Sequence, residues 1–255
     1  MMKRTLTITA AVLALVGLLV ATGCTRVPLS GTGSGSGSVS VSRDETVTVP
    51  LDGAATLSAN VRMGVGELTL SGEPSSTAAL DARFRYAPVR WKPTVEYSKN
   101  ASEGMLYVSQ PEGDTKMNLG PDIENTWDLT LPGKVPVKLS LKLGLGKSTV
   151  DLRDVDVRDL EVVTGVGETT LDLSGARTDD VDARVTSGVG ELVIRVPKGV
   201  GVRITGGNQM VGELIANGFT KQGDTRMNAA YGSAGPKIEI AVTGGIGEIR
   251  IEEVQ

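Results

Sequence analysis

The feature that most constrains the fold is a short phrase that recurs along the chain, two glycines around one apolar residue, followed by a charged residue. Aligned on the second glycine, the copies lie 80, 21, 23, 22 and 35 residues apart, at Gly66, Gly146, Gly167, Gly190, Gly212 and Gly247. A repeat of about 22 residues is typical of solenoids. The 35-residue interval contains the polar stretch GFTKQGDTRMNAAYGSAG, which we expect to protrude as a loop from an otherwise regular stack.

Apolar and polar residues alternate on both sides of each phrase, which predicts two short strands per copy, each with one buried face. The expected core residues are Val61, Met63, Leu139, Leu141, Leu143, Leu160, Val162, Val181, Ala183, Val185, Ile238, Ile240 and Val242 before the glycines, and Leu68, Leu70, Val150, Leu152, Leu171, Leu173, Leu192, Ile194, Val196, Ile249 and Ile251 after them. We predict an all-β fold, a single-stranded right-handed β-helix (β-solenoid) with parallel pairing between coils. A β-sandwich of antiparallel hairpins is the alternative.

The glycines of the phrase are predicted to form the corner between the two strands of a coil. A sharp turn favours backbone angles that a Cβ penalises, and stacked coils leave no room there for side chains. These corner glycines are Gly64, Gly66, Gly144, Gly146, Gly165, Gly167, Gly188, Gly190, Gly212, Gly245 and Gly247. The apolar residue before each second glycine is expected to point inward and fill the corner, namely Val65, Leu145, Val166, Val189, Val211 and Ile246.

Residues 72–136 lack the phrase and carry most of the aromatic residues. Stretches such as LDARFRY and WDLTL predict longer antiparallel strands that cap one end of the solenoid, because an uncapped end exposes strand edges. The expected organisation is a signal peptide at 1–23, a tether at 24–43, an N-terminal β region that starts and caps the solenoid at 44–136, and the repeats at 137–255.

The amino terminus carries an export signal. Lys3 and Arg4 precede the apolar run LTITAAVLALVGLLVATG, which ends at the only cysteine, Cys24. The stretch LVATGC resembles the lipobox of bacterial lipoproteins, which implies cleavage between Gly23 and Cys24 and a diacylglyceryl group on the thiol. An uncleaved membrane anchor and an ordinary secretory signal are the alternatives. The following tract, SGTGSGSGSVSVS, predicts a flexible tether of about 20 Å.

Composition excludes several classes of function. The chain contains no histidine, which excludes His-dependent catalytic triads and the commonest transition-metal sites. A net charge of -4 without a basic cluster argues against a nucleic-acid partner. With a single cysteine, the exported domain has no internal disulfide.

Two ligand hypotheses attach to the glycine phrase. The stretch GLGKSTV from Gly144 approaches a phosphate-binding loop, but the required first glycine is replaced by Leu141 and a strand-like sequence follows. A column of carboxylates is the second hypothesis, because stacking would align Glu67, Glu168, Glu191, Glu213 and Glu248, with Lys147 in the same position of its copy. Such a column could hold a cation, whereas solvated glutamates that limit aggregation are the simpler interpretation. We expect no metal and no cofactor.

Catalysis is the less favoured functional hypothesis. Right-handed β-helices include polysaccharide lyases and hydrolases that use Asp, Arg and Lys, and the cluster DLRDVDVRDLE from Asp151 contains these residue types. Its charges alternate with apolar residues, as in any solvated strand and turn. We therefore predict that the protein is not an enzyme and assign no catalytic residue.

Several stretches together resemble a known family. GVGELTLSG, NTWDLTLPGKVPVKLSLKLGLG, TGVGETTLDLSGARTDDVDARVTSGVGELVIRVPKGVGVRI and VTGGIGEIRIE are similar to the toast-rack domains of bacterial envelope proteins, which are related to the C-terminal part of LiaF-type stress proteins and to adhesin-like families of the DUF4097 type. The resemblance covers about 61–252. It implies a right-handed β-helical rack outside a membrane, acting in adhesion, scaffolding or envelope-stress sensing.

These observations predict a lipid-anchored, non-enzymatic binding module of the cell envelope, attached to the cell membrane or the outer membrane and facing away from the cytoplasm. Its partner is an envelope protein or a glycan. The expected binding surface is a strand face, the aromatic segment, or the loop from Gly218 to Gly235.

Overall fold

The computed structural model describes residues 42–111, 123–207 and 211–255, which form one fifteen-stranded sheet with two short 3-10 turns and contain no α-helix. The strands are β1 (Arg43–Pro50), β2 (Thr56–Glu73), β3 (Ala78–Ala87), β4 (Thr94–Asn100), β5 (Glu103–Ser109), β6 (Glu124–Pro132), β7 (Val137–Asp151), β8 (Val157–Asp172), β9 (Val181–Pro197), β10 (Gly201–Gly206), β11 (Val211–Ala216), β12 (Thr220–Gln222), β13 (Thr225–Met227), β14 (Lys237–Thr243) and β15 (Ile246–Val254). The predicted all-β class is confirmed.

Four long strands, β2, β7, β8 and β9, form the centre of the sheet, and each contains one glycine phrase. We call the residues before the corner glycines face 1 and those after them face 2. Neighbouring strands pair in parallel with their glycines in register. This coil-to-coil pairing is that of a solenoid, and it differs from the antiparallel hairpins of the alternative β-sandwich.

The C-terminal coil lies inside the stack, not at its end. Its two strands, β14 on face 1 and β15 on face 2, pair in parallel with β9. On their other side they pair with β10 and β11, which precede them in the chain. The expected regular stack in chain order is therefore wrong for the last two coils.

The polar excursion after Gly218 is part of the sheet. β12 and β13 form a hairpin, and β13 pairs antiparallel with β10. The hairpin thus covers the outer edge of face 1 at this end, and the chain then returns to insert β14 between β9 and β10. The expectation of a protruding loop is corrected, because an edge strand left uncovered would expose unpaired backbone groups.

The aromatic segment extends both faces beyond β2. β5 on face 1 and β6 on face 2 pair with β2 in parallel, and β4 and β3 then pair with them antiparallel. β1 follows as the outermost strand of face 2. The expected antiparallel strands are thus found at the outer positions, whereas β5 and β6 continue the parallel stack.

The core lies between the two faces. Every core residue predicted from the alternation is buried, with at most 8% of its surface exposed. At the N-terminal end Phe84 and Trp127 pack edge to face, with ring centroids 5.4 Å apart. Inward positions fall on odd numbers before the first corner, as at Met63, and on even numbers after it, as at Leu68. The alternation therefore shifts by one residue across the corner.

Candidate functional site

The corner is built by glycines because the coils stack backbone against backbone there. The second glycine of every copy has a φ between +134° and +146°, where side chains are rarely tolerated. A Cβ added to Gly167 would overlap the carbonyl oxygen of Gly146, and one added to Gly165 would overlap that of Gly144. The same relation holds for Gly144, Gly146, Gly188, Gly190, Gly212, Gly245 and Gly247, whereas Gly64 and Gly66 face Gln110 and Asn125.

The residue between the corner glycines points outward, contrary to the prediction that it fills the corner. In sheet order these residues form a column of direct neighbours, which we call the aliphatic column: Val65, Leu145, Val166, Val189, Ile246 and Val211. Val65 is half-buried, and the other five are 41–70% exposed. The physical reason is the one-residue shift of the alternation, which leaves the inward positions to Met63, Leu68 and their equivalents.

A column of charged residues runs beside the aliphatic column on face 2. Its order is Glu67, Lys147, Glu168, Glu191, Glu248 and Glu213, and we call it the glutamate column. Lys147 lies 3.4 Å from Glu168, and Arg250 pairs with Glu248 and lies 3.9 Å from Glu191. Glu191 and Glu213, expected to be neighbours, are separated by Glu248 because the last coil is inserted.

The glutamate column does not form a metal site in the described part of the chain. No group of three or more Asp, Glu, Cys or His residues there is close enough to hold an ion. Lys147 separates Glu67 from the other carboxylates, and Arg250 lies between Glu191 and Glu248. The repulsion within the column is thus reduced by two cations of the chain itself.

Two side-chain amides complete the corner where the stack of coils ends. Gln110 Oε1 accepts hydrogen bonds from the backbone N–H groups of Gly64 and Val65, at 2.9 and 3.0 Å. Asn125 Nδ2 donates to the Val65 carbonyl at 2.5 Å, and its Oδ1 accepts from Trp127 Nε1 at 2.8 Å. The amides stand where the other coils have the backbone of a neighbouring glycine phrase. The sequence analysis missed both residues, since nothing in their local pattern marks them.

A groove of about 640 Å³ opens beside these amides, at the start of both columns. Its lining includes the apolar residues Val65, Leu145 and Trp91 and the charged residues Glu67 and Lys147. The Asn125 amide is already hydrogen-bonded within the protein, whereas Glu67 and Lys147 keep exposed charged groups at the groove. The groove is an extension of the aliphatic column more than a separate pocket.

The cluster considered for acid–base catalysis forms ion pairs at the end of face 2. Arg153 donates to both carboxylate oxygens of Asp151, at 2.9 and 2.5 Å, and lies 3.9 Å from Asp172. These hydrogen bonds hold the pKa of Asp151 below its ordinary value and raise that of Arg153. A carboxylate held ionised in this way is unsuited to act as a general acid near neutral pH.

The segment from Gly218 to Gly235 is fastened to face 1 by Tyr231. The Tyr231 hydroxyl donates to Glu239 at 2.7 Å, and Arg203 and Lys237 lie over its ring at 5.5 and 5.0 Å from the centroid. These contacts hold Tyr231 against β10 and β14. The corner was not among the predicted binding surfaces, yet most of the exposed large hydrophobic side chains of the described residues lie there.

The predicted lipidation and cleavage residues, Cys24 and Gly23, lie outside the described residues, as does the tether up to residue 41. Within the ranges that are described, the structure contains no helix of the length and apolarity needed to cross a bilayer.

The comparisons with known proteins agree with the geometry. The N-terminal domain of toast_rack, DUF2154, matches residues 37–195. A solved structure of a candidate cell adhesion protein from Clostridium sporogenes ATCC 15579 is 30% identical, with a TM-score of 0.72, and the match covers 84% of this chain and all of that one. No curated protein matches the chain significantly.

Two further solved structures match more distantly. A candidate adhesin from Bacteroides fragilis NCTC 9343 is 11% identical, with a TM-score of 0.28, over 85% of this chain and 98% of its own. Another from Parabacteroides merdae ATCC 43184 is 12% identical, with a TM-score of 0.25, over 84% and 96%. TM-scores this low do not establish that these two proteins share the fold of this chain. The family match over more than half of the chain and the full-length Clostridium relative show that this chain belongs to the toast_rack family, as its repeats predict.

Proposed function

We propose that this protein is a non-enzymatic binding module of the bacterial cell envelope that presents the aliphatic column to a partner. The observation that carries the proposal is the exposure of that column. Five of the seven large hydrophobic residues that are exposed in the described part of the chain belong to it. Contiguous apolar surface of this kind marks interaction sites in soluble domains.

The stack of coils suits a binding role because it holds the column rigidly. Each column residue is flanked by a corner glycine whose position is fixed by contact with the neighbouring coil. Sites on paired strands are held more firmly than sites on loops. The name of the Clostridium relative, a candidate cell adhesion protein, is in line with binding rather than catalysis.

The proposed location rests on the amino terminus. Residues 3–24 combine two basic residues, an apolar run and a lipobox-like LVATGC, and the tract 30–42 supplies a spacer. We propose that Cys24 carries the lipid and that cleavage follows Gly23. The domain then stands outside the cytoplasm on a membrane, where it adheres to or supports other envelope components.

The anchor is tested by fractionating producing cells. Cys24→Ser is expected to leave the protein unprocessed, with a mass larger by the signal peptide and without lipid. Mass spectrometry of the wild-type chain should show an acylated N-terminal Cys24. Processing and acylation that are the same in both proteins would contradict the proposal.

The binding surface is tested in intact cells with a photo-crosslinking amino acid in place of Val189. We expect adducts that are absent when the same amino acid replaces Lys221, which is exposed on β12 away from the column. Equal adducts at both positions, or none at Val189, would refute the assignment of the column as the binding surface.

A further inference from the structure

The two flanks of the aliphatic column differ in charge. On the face 2 side, four successive positions of the glutamate column are acidic: Glu168, Glu191, Glu248 and Glu213. On the face 1 side, the residues at the same level are Val163, Thr186 and Thr243, which are uncharged. Along these four coils an occupant of the column thus meets an apolar centre, an acidic flank and a neutral flank, whereas Arg62 and Lys142 make the face 1 flank basic beside Val65 and Leu145.

The spacing of the column restricts the shape of the occupant. Neighbouring strands lie about 4.8 Å apart, so six residues span about 24 Å. An α-helix advances about 5.4 Å per turn, so its apolar side chains follow the column with a small mismatch at each step. An extended strand laid along the column repeats its same-face side chains about every 6.8 Å and loses register within two steps. A helix of about 16 residues matches the full length.

We infer that the partner of the aliphatic column is a cationic amphipathic helix of about 16 residues, lying along the column with its Lys or Arg side chains over the glutamate column. This inference rests on the proposed function and specifies the occupant of that surface. Apolar residues at every third or fourth position of the helix contact Val166, Val189 and their neighbours.

The charges of the glutamate column favour this occupant over two others. An anionic bilayer would be repelled by the acidic flank. A second copy of the same surface offers few cations, because in the described residues Lys147 and Arg250 already pair with the glutamate column and the face 1 flank adds only Arg62 and Lys142 at one end. The carboxylates are well placed to pair, since the side chains of Glu168 and Glu191 are 67% and 47% exposed.

The glycines beside the column allow the helix to approach closely. Corner glycines lie on both sides of each aliphatic residue in the copies that carry the full phrase, so no side chain there rises beside the column. Small residues at an interface let two backbones come together and increase the contact of the remaining side chains. The aliphatic residues thus protrude as a ridge into the apolar face of the helix.

The test uses the full-length protein in nanodiscs of zwitterionic phosphatidylcholine, with empty nanodiscs as the blank. The probe is a fluorescent 16-residue helical peptide of Leu and Lys, with the lysines on one flank, followed by fluorescence anisotropy. We expect saturable binding that weakens about fivefold or more between 0.05 and 0.5 M salt. A peptide with Glu in place of every Lys should not bind.

Variants locate the binding on the surface. Replacing both Val166 and Val189 by Ser is expected to weaken binding at least tenfold, because two apolar contacts are lost. Glu191→Gln together with Glu213→Gln should weaken it about fivefold without removing apolar contact. The matched controls are Val89→Ser, an exposed valine outside the column, and Glu96→Gln, an exposed glutamate on β4. Both should bind as the wild type does.

Several outcomes would overturn the inference. One is equal binding of the Lys and Glu peptides, and another is an equal effect of the column and control variants. A third is self-association of the chain, or its binding to anionic vesicles, when either is abolished by the valine variant. Circular dichroism establishes whether each variant folds. If the variant with both valines replaced does not fold, the Glu191→Gln and Glu213→Gln variant alone decides the test. If the residue at position 189 forms specific adducts in cells but the peptide does not bind, the helical partner is refuted and the proposed function stands.

Discussion

At the scale of single residues, the corner glycines set the geometry on which the columns depend. Gly167 has a φ of +141°, and a Cβ there would overlap the carbonyl oxygen of Gly146. We predict that Gly167→Ala lowers the free energy of unfolding by about 3 kcal/mol or more, because backbone strain adds to the overlap. Urea unfolding measures the change.

The control for this substitution is Gly199→Ala, in the turn after β9. No atom lies within 4 Å of a Cβ added to Gly199, and its φ is outside the left-handed region. Its effect should stay within about 0.5 kcal/mol. A similar loss at both positions would show that the stacking of the corner is not what requires glycine.

Tyr86 makes stability depend on alkaline pH. Burial, and then the hydrogen bond that its hydroxyl donates to Glu45 at 3.0 Å, raise the pKa of Tyr86 to about 12. The folded chain therefore holds the phenol proton more tightly than the unfolded chain, whose tyrosine pKa is about 10. This stabilisation is complete below pH 10 and is lost as the pH rises towards 12.

We predict that the advantage of the wild type over Tyr86→Phe in unfolding free energy shrinks by roughly 2 kcal/mol between pH 10 and 12. Taking the difference between the two proteins cancels the titration of all other groups. Denaturant unfolding at a series of pH values measures it. A difference that does not vary with pH in this range would contradict the assignment.

Residue-level prediction succeeded for the core and failed at the corner. The alternation correctly named the buried residues of the repeats, because burial of one face dictates a period of two. It failed for Val166 and its equivalents, which were assigned inward although the expected core positions already changed from odd to even across the first corner. That change of phase was visible in the sequence and indicates that the alternation breaks within the glycine phrase, so the inward assignment of the middle residue did not follow from it.

At the scale of elements, a buried amide adds to the β10–β13 pairing that holds the β12–β13 hairpin to the rest of the sheet. Asn228 Oδ1 accepts from the Val202 N–H at 2.9 Å, and Nδ2 donates to the Val200 carbonyl and to Glu253 at 2.8 and 2.9 Å. With 5% of its surface exposed, Asn228 exchanges no such bonds with water.

We predict that Asn228→Ala costs about 2 kcal/mol and loosens β10, β12 and β13 selectively, because buried polar groups are left without partners. Hydrogen exchange should accelerate in these strands while β7 and β8 keep their protection. Asn217→Ala, at an exposed position whose side chain makes no hydrogen bond to another of the described residues, is the matched control. Uniform acceleration throughout the sheet would contradict a local role for Asn228.

The elements that cover the ends were harder to predict than the repeats. β5 and β6 pair with β2 in parallel although their sequences carry no glycine phrase, and Gln110 and Asn125 substitute for its backbone. Pairing direction is set by contacts between distant parts of the chain, which local alternation does not report. The hairpin of the excursion was missed for the same reason, since its strands have three residues each.

At the scale of the whole molecule, the repeats alone do not reveal the order in which the coils stack. All copies share the same glycine register and the same inward positions, so any coil fits beside any other. The 35-residue interval before the last copy gave the available signal, because a chain that must return into the stack needs extra length. The inserted coil makes Glu248 the neighbour of both Glu191 and Glu213.

This order predicts which cysteine pairs can form disulfides in a chain carrying Cys24→Ser. Cysteines replacing Glu191 and Glu248, or Glu213 and Glu248, are Cα partners on adjacent strands, at about 4.8 Å, within the range that a disulfide spans. Cysteines replacing Glu191 and Glu213 are two strands apart, about 9.6 Å, and should stay reduced. Mass spectrometry of the oxidised monomer at low protein concentration distinguishes the pairs. A disulfide between positions 191 and 213, with none involving position 248, would show that the coils stack in chain order after all.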